Sequence, residues 1–373
     1  MQIDFHHAVT YLAARLAGFQ ASEADIIAYS AQYVDDATLS GTVAFDNDMM
    51  YTRISSAHQL FDYRNMESLA THQVWLPFHF LPGNLGEPAP AAPPALSREE
   101  YLLRCVCRPG SPVARDMMYD VIRRQDRPYA LHRLGIAAHV YFDTWAHQGF
   151  VGFQHAINRA RNVTANDAHH AQPLAEKLKL FFGQAWDAAR SDFVGDVLPL
   201  GHGAVLSYPD RPYLNWSYTN GLGKTVQRNN PADFYAAIVS LHDMLCRYRA
   251  YALKGEGAFA EASPGIPAPV AAKIQDAIAT TRDEDETVRH RAWLDKIAGH
   301  GFGLAERVDY AAKGRGSWKF TALGIEDGAR DDPIYPATPQ FFQSNWKLFH
   351  DALQAHRFEV VHNILPAYGI CAA

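Results

Sequence analysis

Apolar residues recur at helical spacing along most of the chain. Val9, Leu12 and Leu16 are separated by three and four positions, which predicts an amphipathic helix over 5–17. Strand-like alternation is scarce, and the irregular, aromatic-rich stretch 197–223 is the main exception. The predicted class is therefore mainly α, with a multi-helical core. The same spacing predicts further helices over roughly 98–107, 111–124, 129–148, 172–191, 231–252, 267–281, 285–299 and 338–362.

A second helix is predicted directly after the first. Ser22 followed by Asp25 resembles a capping box, and the apolar pattern continues to Asp35 and Asp36. The carboxyl end of a helix carries partial negative charge, so a pair of carboxylates is unfavourable there unless a cation lies nearby. Either this helix end is solvated, or one of the two aspartates faces a counter-ion.

The composition narrows the class of protein. The chain has 373 residues, of which 48% are hydrophobic and 20% charged, so it is long enough and apolar enough to bury a large core. A net charge of -6 gives no strong nucleic-acid signature. No apolar run reaches the length of a transmembrane segment, and no signal peptide is recognisable. We expect a cytoplasmic protein, with signal-independent export as an alternative.

Histidine is the unusual residue in this composition. Of the 18 histidines, 12 lie within the first 202 residues, whereas the chain has only four scattered cysteines. Too few thiols are present for a disulfide framework or a four-cysteine zinc site. Histidine is the commonest metal ligand, so this part of the chain is where we expect metal chemistry.

The strongest single pattern lies in the segment LHRLGIAAHVYFDTWAHQGF, residues 131–150. His139, Asp143 and His147 follow one another at intervals of four and form one line along a helix. The residues around them are nearly all apolar, so the helix should be buried on most of its circumference. Two interpretations compete: the three groups hydrogen-bond to each other and to the backbone, or they bind a metal ion. Their nitrogen and oxygen ligands favour zinc or another first-row divalent ion.

One helix can supply only two or three ligands, so other segments must complete such a cluster. His202 lies between two glycines, which permit a close approach of the backbone. The other candidates are an imidazole or carboxylate near a helix end or in a loop, namely His6 or His7, Asp35 or Asp36, His58, His72 and His79.

A change of composition over 254–269 predicts a linker rich in glycine and proline. It separates a histidine-rich helical metal-binding domain at 1–253 from a helical region at 270–373 that we expect to pack on the core. A proline-rich surface loop at 87–97 interrupts the first domain.

The buried helix LGIAAHVYFDTWAHQGF, an amino-terminal histidine, an aspartate ending the next helix and later loop histidines resemble the zinc-dependent phospholipase C and single-strand nuclease superfamily. The resemblance covers roughly residues 1–225. Within the superfamily, the chain looks like a member of a bacterial branch rather than like the secreted enzymes. The resemblance implies an all-helical fold that holds up to three zinc ions. In that arrangement His139 and Asp143 supply ligands, and the aspartate bridges metal ions.

The resemblance also implies roles for the weaker candidates. His147 corresponds to the family's next histidine, at a shorter interval than usual. The family's amino-terminal ligand corresponds to His7 or His6. Its early aspartate corresponds to Asp36 or Asp35, and the histidine after that aspartate corresponds to His58 or His79. The chain departs from the secreted enzymes in lacking their amino-terminal tryptophan and the His-x-x-x-Glu motif of their second metal.

The function implied is hydrolysis of phosphoric esters, of the phospholipase C or phosphodiesterase kind. A water activated by two or three metal ions would attack a small-molecule or lipid phosphoester, with Asp143 as the catalytic bridge. Arg53, Arg211 and Lys224 are candidates for holding the phosphate charge. The oligomeric state is left open.

Two other classes of protein remain as alternatives. The dipeptides His242-Asp243 and His350-Asp351 are typical of helical nucleotide phosphohydrolases that bind metal through a His-Asp pair. The other alternative is a non-catalytic helical binding protein in which the polar stripe of residues 131–150 is only structural.

Overall fold

The computed structural model describes residues 1–58, 68–165, 201–324 and 334–371, with side chains from residue 72 in the segment that begins at 68. The helix predicted over 172–191 and the first residues of the irregular stretch 197–223 lie outside the described residues. The prediction of a mainly helical fold is confirmed for the part described.

The helices are numbered here in chain order. Helix α1 begins with a π-helical stretch, Asp4–Val9, and continues as an α-helix over Thr10–Leu16. Helix α11, Asn345–Glu359, is followed directly by a π-helical stretch, Val360–Ile364. The remaining bounds are α2 Ala21–Asp36, α3 Ser68–Phe78, α4 Arg98–Cys105, α5 Pro112–Arg123, α6 Ala130–Ala146, α7 Asn230–Lys254, α8 Ala268–Thr280, α9 Glu286–Ala298 and α10 Trp318–Leu323.

Two small sheets accompany the helices. Strands β3 (Ala160–Ala165), β4 (Asn215–Asn220) and β5 (Thr225–Asn229) form an antiparallel sheet. Strand β4 lies inside the stretch expected to be irregular and strand-like. In the second sheet the central strand β1 (Gly41–Phe45) is flanked by β2 (Met50–Arg53) and β6 (Ile334–Tyr335). The sequence pattern did not predict this sheet, because its strands are short.

Helix α6 lies at the centre of the fold. It packs against α2, α5, α7 and α11, and all of its residues except Leu131 are buried. The expected burial around most of its circumference is therefore observed. Gly135 permits the closest of these contacts, because a Cβ atom there would lie 2.3 Å from the carbonyl oxygen of Ile27 in α2. Close packing of α2 on α6 brings the end of α2 to the middle of α6.

The start of α2 differs from the prediction. The capping box is formed by Gln20 and Glu23, and the Gln20 backbone N–H donates to the Glu23 carboxylate over 2.8 Å. Gln20 is the extended residue before the helix, so Ser22 already lies in the first turn and the capping box of Ser22 and Asp25 was wrong.

The carboxyl-terminal helices pack directly on the amino-terminal one. A single cluster of buried apolar side chains includes Phe5 in α1 together with Ile274 in α8 and Trp293 in α9. The division into 1–253, a linker at 254–269 and 270–373 stays a prediction. Within the described residues, no helix combines the length and the apolar character that crossing a membrane requires.

Candidate metal centre

Helix α6 carries the first part of a buried histidine and aspartate cluster. His139 and Asp143 lie one turn apart, and His147 follows at the C-cap; none of the three is more than 5% exposed. Asp143 Oδ2 is 3.2 Å from His139 Nε2 and 3.6 Å from His147 Nδ1. The stripe expected from the sequence is therefore present as a line of polar groups inside the apolar core.

Two further residues join this group from neighbouring elements. His79 follows the end of α3, and its Nδ1 lies 3.3 Å from Asp143 Oδ2 and 3.2 Å from His139 Nε2. Asp35, in the last turn of α2, places Oδ1 3.8 Å from His79 Nδ1 and 3.9 Å from His139 Nε2. The ligand atoms of His79, His139 and Asp143 thus lie close together, and Asp35 approaches two of them from α2.

His6 approaches the same cluster from α1. Its ring stacks on that of His139 with 3.8 Å between the centroids, and its Nε2 lies 3.1 Å from Asp143 Oδ1. Among the described residues, His6 Nδ1 has no hydrogen-bond partner, although the side chain is completely buried. Burying an imidazole without partners costs free energy unless another ligand satisfies it.

A second group lies beside the first. His147 Nε2 is 3.4 Å from Asp210 Oδ1, and His202 Nε2 is 3.5 Å from Asp210 Oδ2. His202 is brought close by Gly201, whose φ of +53° is unfavourable for other residues and whose missing Cβ would lie 2.3 Å from the Phe80 ring. His147 contacts both groups, because its Nδ1 faces Asp143 and its Nε2 faces Asp210.

Backbone carbonyls fix the orientation of four of these histidines. A carbonyl oxygen accepts only, so the ring nitrogen beside it must donate, and the other nitrogen of the neutral ring then carries a lone pair. In each of the four rings it is this second nitrogen that faces the carboxylates. The donor–acceptor pairs are His139 Nδ1 to Ala31 (2.8 Å), His79 Nε2 to Ser56 (2.9 Å), His147 Nδ1 to His79 (2.7 Å) and His202 Nδ1 to Leu206 (2.7 Å).

The lone pairs of these imidazole nitrogens therefore face the lone pairs of the carboxylate oxygens across the cluster. The same carbonyl arrangement holds metal-bound histidines in position and fixes their tautomer. In a tetrahedral zinc site with bonds of 2.0–2.1 Å, neighbouring ligand atoms are about 3.3 Å apart. The spacings of 3.2 and 3.3 Å among His79, His139 and Asp143 match that value.

The charges in the cluster follow from burial and from its neighbours. Burial lowers the pKa of His139 and of His202 to about 4, so both imidazoles are neutral near pH 7. Burial alone would raise the pKa of Asp143, but the Met1 amino group and the polar ring nitrogens around the carboxylate outweigh burial and hold that pKa well below its usual range. The pKa of Asp35 is raised well above its usual value by burial and by the nearby Asp143 carboxylate.

The amino group of Met1 also lies in the cluster. It contacts the Asp143 carboxylate and is 3.4 Å from Asp210 Oδ1. Burial opposes its charge, yet Asp143 and Asp210 raise its pKa to about 10. A positive charge at this point offsets part of the negative charge of the carboxylates.

A cavity of about 410 Å³ opens onto both groups. Asp35, His79, Asp143, His147 and Asp210 are exposed to it in part, and no lysine or arginine lines it among the residues described. Its volume lies within the range of small-molecule sites in proteins. The other lining side chains include Gln32, Asp36, His58, Trp75, Phe80 and Glu286.

Three sets of side chains in this region can hold metal ions. In each set the possible ligand atoms all lie within 4.8 Å of one another. His139 belongs to two of the sets, so the positions adjoin. The sets are His6, Asp35 and His139; His79, His139 and Asp143; and His147, His202 and Asp210.

Some candidates from the sequence have other neighbours. His7 points away from the cavity, and its Nδ1 lies 2.9 Å from Nε2 of His290 in α9. Asp36 lines the cavity, but its carboxylate accepts from Tyr310 over 2.6 Å. His58 also lines the cavity, outside the three sets, and His72 belongs to none of them.

The basic residues expected to hold phosphate are not among those that line the cavity. Arg211 lies 3.3 Å from Glu284 and over the Tyr208 ring. Arg53 belongs to β2, and Lys224 is exposed beside β5.

Asp210 is the site residue that sequence reasoning missed. It lies in a short 3₁₀ turn, Tyr208–Asp210, eight residues after His202. No helical spacing links the two residues, so the available signal was only a carboxylate in the same loop as a candidate histidine. Asp210 supplies the carboxylate of the set that also contains His147 and His202.

Fold and site together define a mainly helical protein with a buried histidine and aspartate centre that can hold metal ions. The sequence matches a family of unknown function, DUF6765, over residues 1–364, and the chain belongs to that family. Neither the comparison with curated proteins nor the comparison with solved structures gives a match.

Proposed function

We propose that the protein is a metal-dependent hydrolase of phosphoric esters that uses two or three zinc ions. The observation that carries the proposal is a set of four histidines, each of which donates a hydrogen bond from one ring nitrogen to a backbone carbonyl on the side away from the carboxylates. Their inner nitrogens face Asp143 and Asp210 without a proton between them. Cations at these points satisfy both the imidazoles and the carboxylates.

Two of the three ligand sets share no residue. One ion would be held by His79, His139 and Asp143, with Asp35 as the fourth ligand. A second would be held by His147, His202 and Asp210. The set His6, Asp35 and His139 is a third position that shares His139 with the first. Because only Nε2 of His139 can act as a ligand, that ring would bind one of the two ions, and the other ion would be held by the remaining residues of its set.

Asp143 lies between these positions. Its Oδ2 faces His79, His139 and His147, while its Oδ1 faces His6. A carboxylate that turns one oxygen to each side is suited to bridge two ions and to orient a water between them. Asp143 is thus the proposed catalytic residue.

Bound divalent ions polarise a phosphoryl oxygen and lower the pKa of a shared water towards 7. The protein's own contribution is to hold the ligands rigidly and to bury them in an apolar core. Trp75 and Phe80 form an apolar wall beside the ligands. That wall suits the organic part of a small-molecule or lipid phosphoester.

The His-Asp dipeptides have structural neighbours of another kind. Asp243 accepts from Arg247 over 2.8 Å, and Asp351 accepts from Lys347 over 2.6 Å. Neither dipeptide belongs to a set of metal-ligating side chains within the described ranges. This placement favours the α6 cluster over a His-Asp phosphohydrolase centre.

The test combines metal analysis with a generic substrate. Protein purified without a chelator or a histidine tag should contain two or three zinc ions per chain and hydrolyse bis(4-nitrophenyl) phosphate. His139→Ala and Asp143→Asn should each lower the metal content and reduce kcat/KM by about 10²- to 10⁴-fold, because several kcal/mol of transition-state stabilisation is lost.

His242→Ala is the matched control, since it removes a buried histidine outside the cluster. It should leave metal content and kcat/KM unchanged. Activity lost in His242→Ala but kept in His139→Ala would favour the His-Asp alternative. Stoichiometric metal without hydrolysis of phosphodiesters or phosphomonoesters would favour a binding protein, and a chain without metal would refute the proposal.

A further inference from the structure

Helix α9 binds the amino-terminal segment through a buried ion pair. Arg289 Nε donates to Asp4 Oδ2 over 2.8 Å, and both side chains are fully buried. Arg289 Nη2 also donates to Gln2 Oε1 over 2.5 Å. One guanidinium thus contacts two side chains within four residues of His6.

The other donors of Arg289 fix the loop before α9. Its Nη1 donates to the carbonyl oxygens of Asp283, at 2.7 Å, and Glu284, at 3.1 Å. A planar guanidinium with several bonds of this kind has a single orientation. Arg289 therefore connects two segments that are far apart in sequence.

Neighbouring residues continue the same contact. Phe5 meets the Trp293 ring edge-on with 6.0 Å between centroids, and His7 Nδ1 lies 2.9 Å from His290 Nε2. Between them, His6 turns the other way and faces Asp143. Residues on both sides of His6 are thus packed against α9, while His6 itself enters the metal cluster.

We propose that Arg289 is a positioning residue of the metal centre: through Asp4 and Gln2 it holds His6 at the position that His6 shares with Asp35 and His139. The inference rests on the proposed function. It gives the carboxyl-terminal region a role in the site, because a helix within 270–373 completes a ligand set carried by the first 150 residues. The cation at this position needs His6, so its binding depends on α9.

Arg289→Met tests this dependence. The variant should lose one zinc ion per chain, or bind that ion about 10- to 100-fold more weakly, as is typical when the support of a ligand is removed. The ion at His147, His202 and Asp210 should remain. Metal content after dialysis against a graded series of zinc buffers measures both effects.

Arg133→Met is the matched control. Arg133 is also a buried arginine paired with an aspartate, at 2.6 Å from Asp120, but it lies outside all three ligand sets. Both variants lose a buried ion pair and should be destabilised in urea unfolding, Arg289→Met more strongly because Arg289 also donates to Gln2, Asp283 and Glu284. Only Arg289→Met should lose the ion.

Cobalt substitution supplies a readout that stability alone does not change. In the cobalt-substituted protein, the visible absorption of the cobalt ion at the His6 position should be lost in Arg289→Met. The same absorption should be retained in Arg133→Met. If Arg289→Met does not fold, Asp4→Asn serves instead, since it removes the charge and keeps the size. Its cobalt spectrum should show the same loss.

The outcomes separate this inference from the proposed function. Wild-type protein that binds metal, together with an Arg289→Met or Asp4→Asn variant that keeps every ion and an unchanged cobalt spectrum, overturns the positioning role alone. Equal loss of metal in Arg133→Met overturns it as well, because the effect would then follow from stability. Wild-type protein that binds neither zinc nor cobalt overturns both.

Discussion

At the scale of single residues, the centre depends on which ring nitrogen of each histidine is turned outwards. The carbonyls of Ala31, Ser56, His79 and Leu206 decide this, and none of them belongs to a recognisable motif. The residue types of a metal site can be predicted from spacing, but their orientation depends on backbone groups that the fold brings together.

Gly201 is a residue whose substitution should act on one ion only. In Gly201→Ala the new Cβ would meet the Phe80 ring at 2.3 Å, and a φ of +53° disfavours alanine in any case. The loop should shift and carry His202 away from Asp210. We expect loss of one zinc ion per chain in metal analysis.

The control for this prediction is Gly223→Ala. Gly223 also has a positive φ, of +76°, but no atom lies within 4 Å of the added Cβ. It should cost about 1 kcal/mol in urea unfolding, from backbone strain alone, and retain all metal. Equal metal loss in both variants would contradict the role given to Gly201.

At the scale of elements, the contact between α2 and α6 sets the distance between Asp35 and His139. Gly135 permits it, since a Cβ atom there would also lie 2.6 Å from the Ser30 Cβ. Helix propensity alone favours alanine over glycine by about 1 kcal/mol. Packing therefore outweighs propensity at this position.

Gly135→Ala should accordingly destabilise the protein although it improves the helix. Because the nearest atom is a backbone oxygen of Ile27, the helices must move apart, and we expect a loss of about 1–3 kcal/mol in urea unfolding. Gly257→Ala, whose nearest neighbour is 3.9 Å away, should change the free energy of unfolding by less than about 0.5 kcal/mol. A more stable Gly135→Ala variant would refute the packing argument.

The elements differ in how far the sequence predicts them. The α6 ligands were predictable because a spacing of four along an apolar helix puts side chains in one line. The choice of His6 over His7 was not, because it depends on which side of α1 packs against α9, about 280 residues later. Asp210 and the second sheet were missed because a three-residue turn and a two-residue strand have no period.

At the scale of the whole molecule, buried histidines outside the centre link stability to pH. Burial lowers the pKa of His350 and of His356 to about 3, and that of His132 to about 4. The folded protein then binds fewer protons than the unfolded chain between these values and about 6.5. The stability that these neutral, buried histidines contribute is fully present above pH 6.5 and declines as the pH falls towards 4.

His350→Gln should make this decline shallower. A single histidine of this kind contributes about 1.4 kcal/mol per pH unit within the window, so urea unfolding at pH 7, 6 and 5 can resolve the change in slope. His362→Gln, at an exposed position, should leave the slope as it is. An unchanged slope in His350→Gln would show that this histidine titrates normally in the folded protein.

The link between Asp4 and Arg289 has a consequence for synthesis. The two residues are 285 positions apart, so the ribosome must translate most of the chain before their ion pair can form. Until then, His6 lacks the support of Arg289, although α1 is translated long before α9. On the proposed role of Arg289, the complete set of cations would be acquired only after translation of α9, and a nascent chain that stalls earlier would carry an unfinished centre.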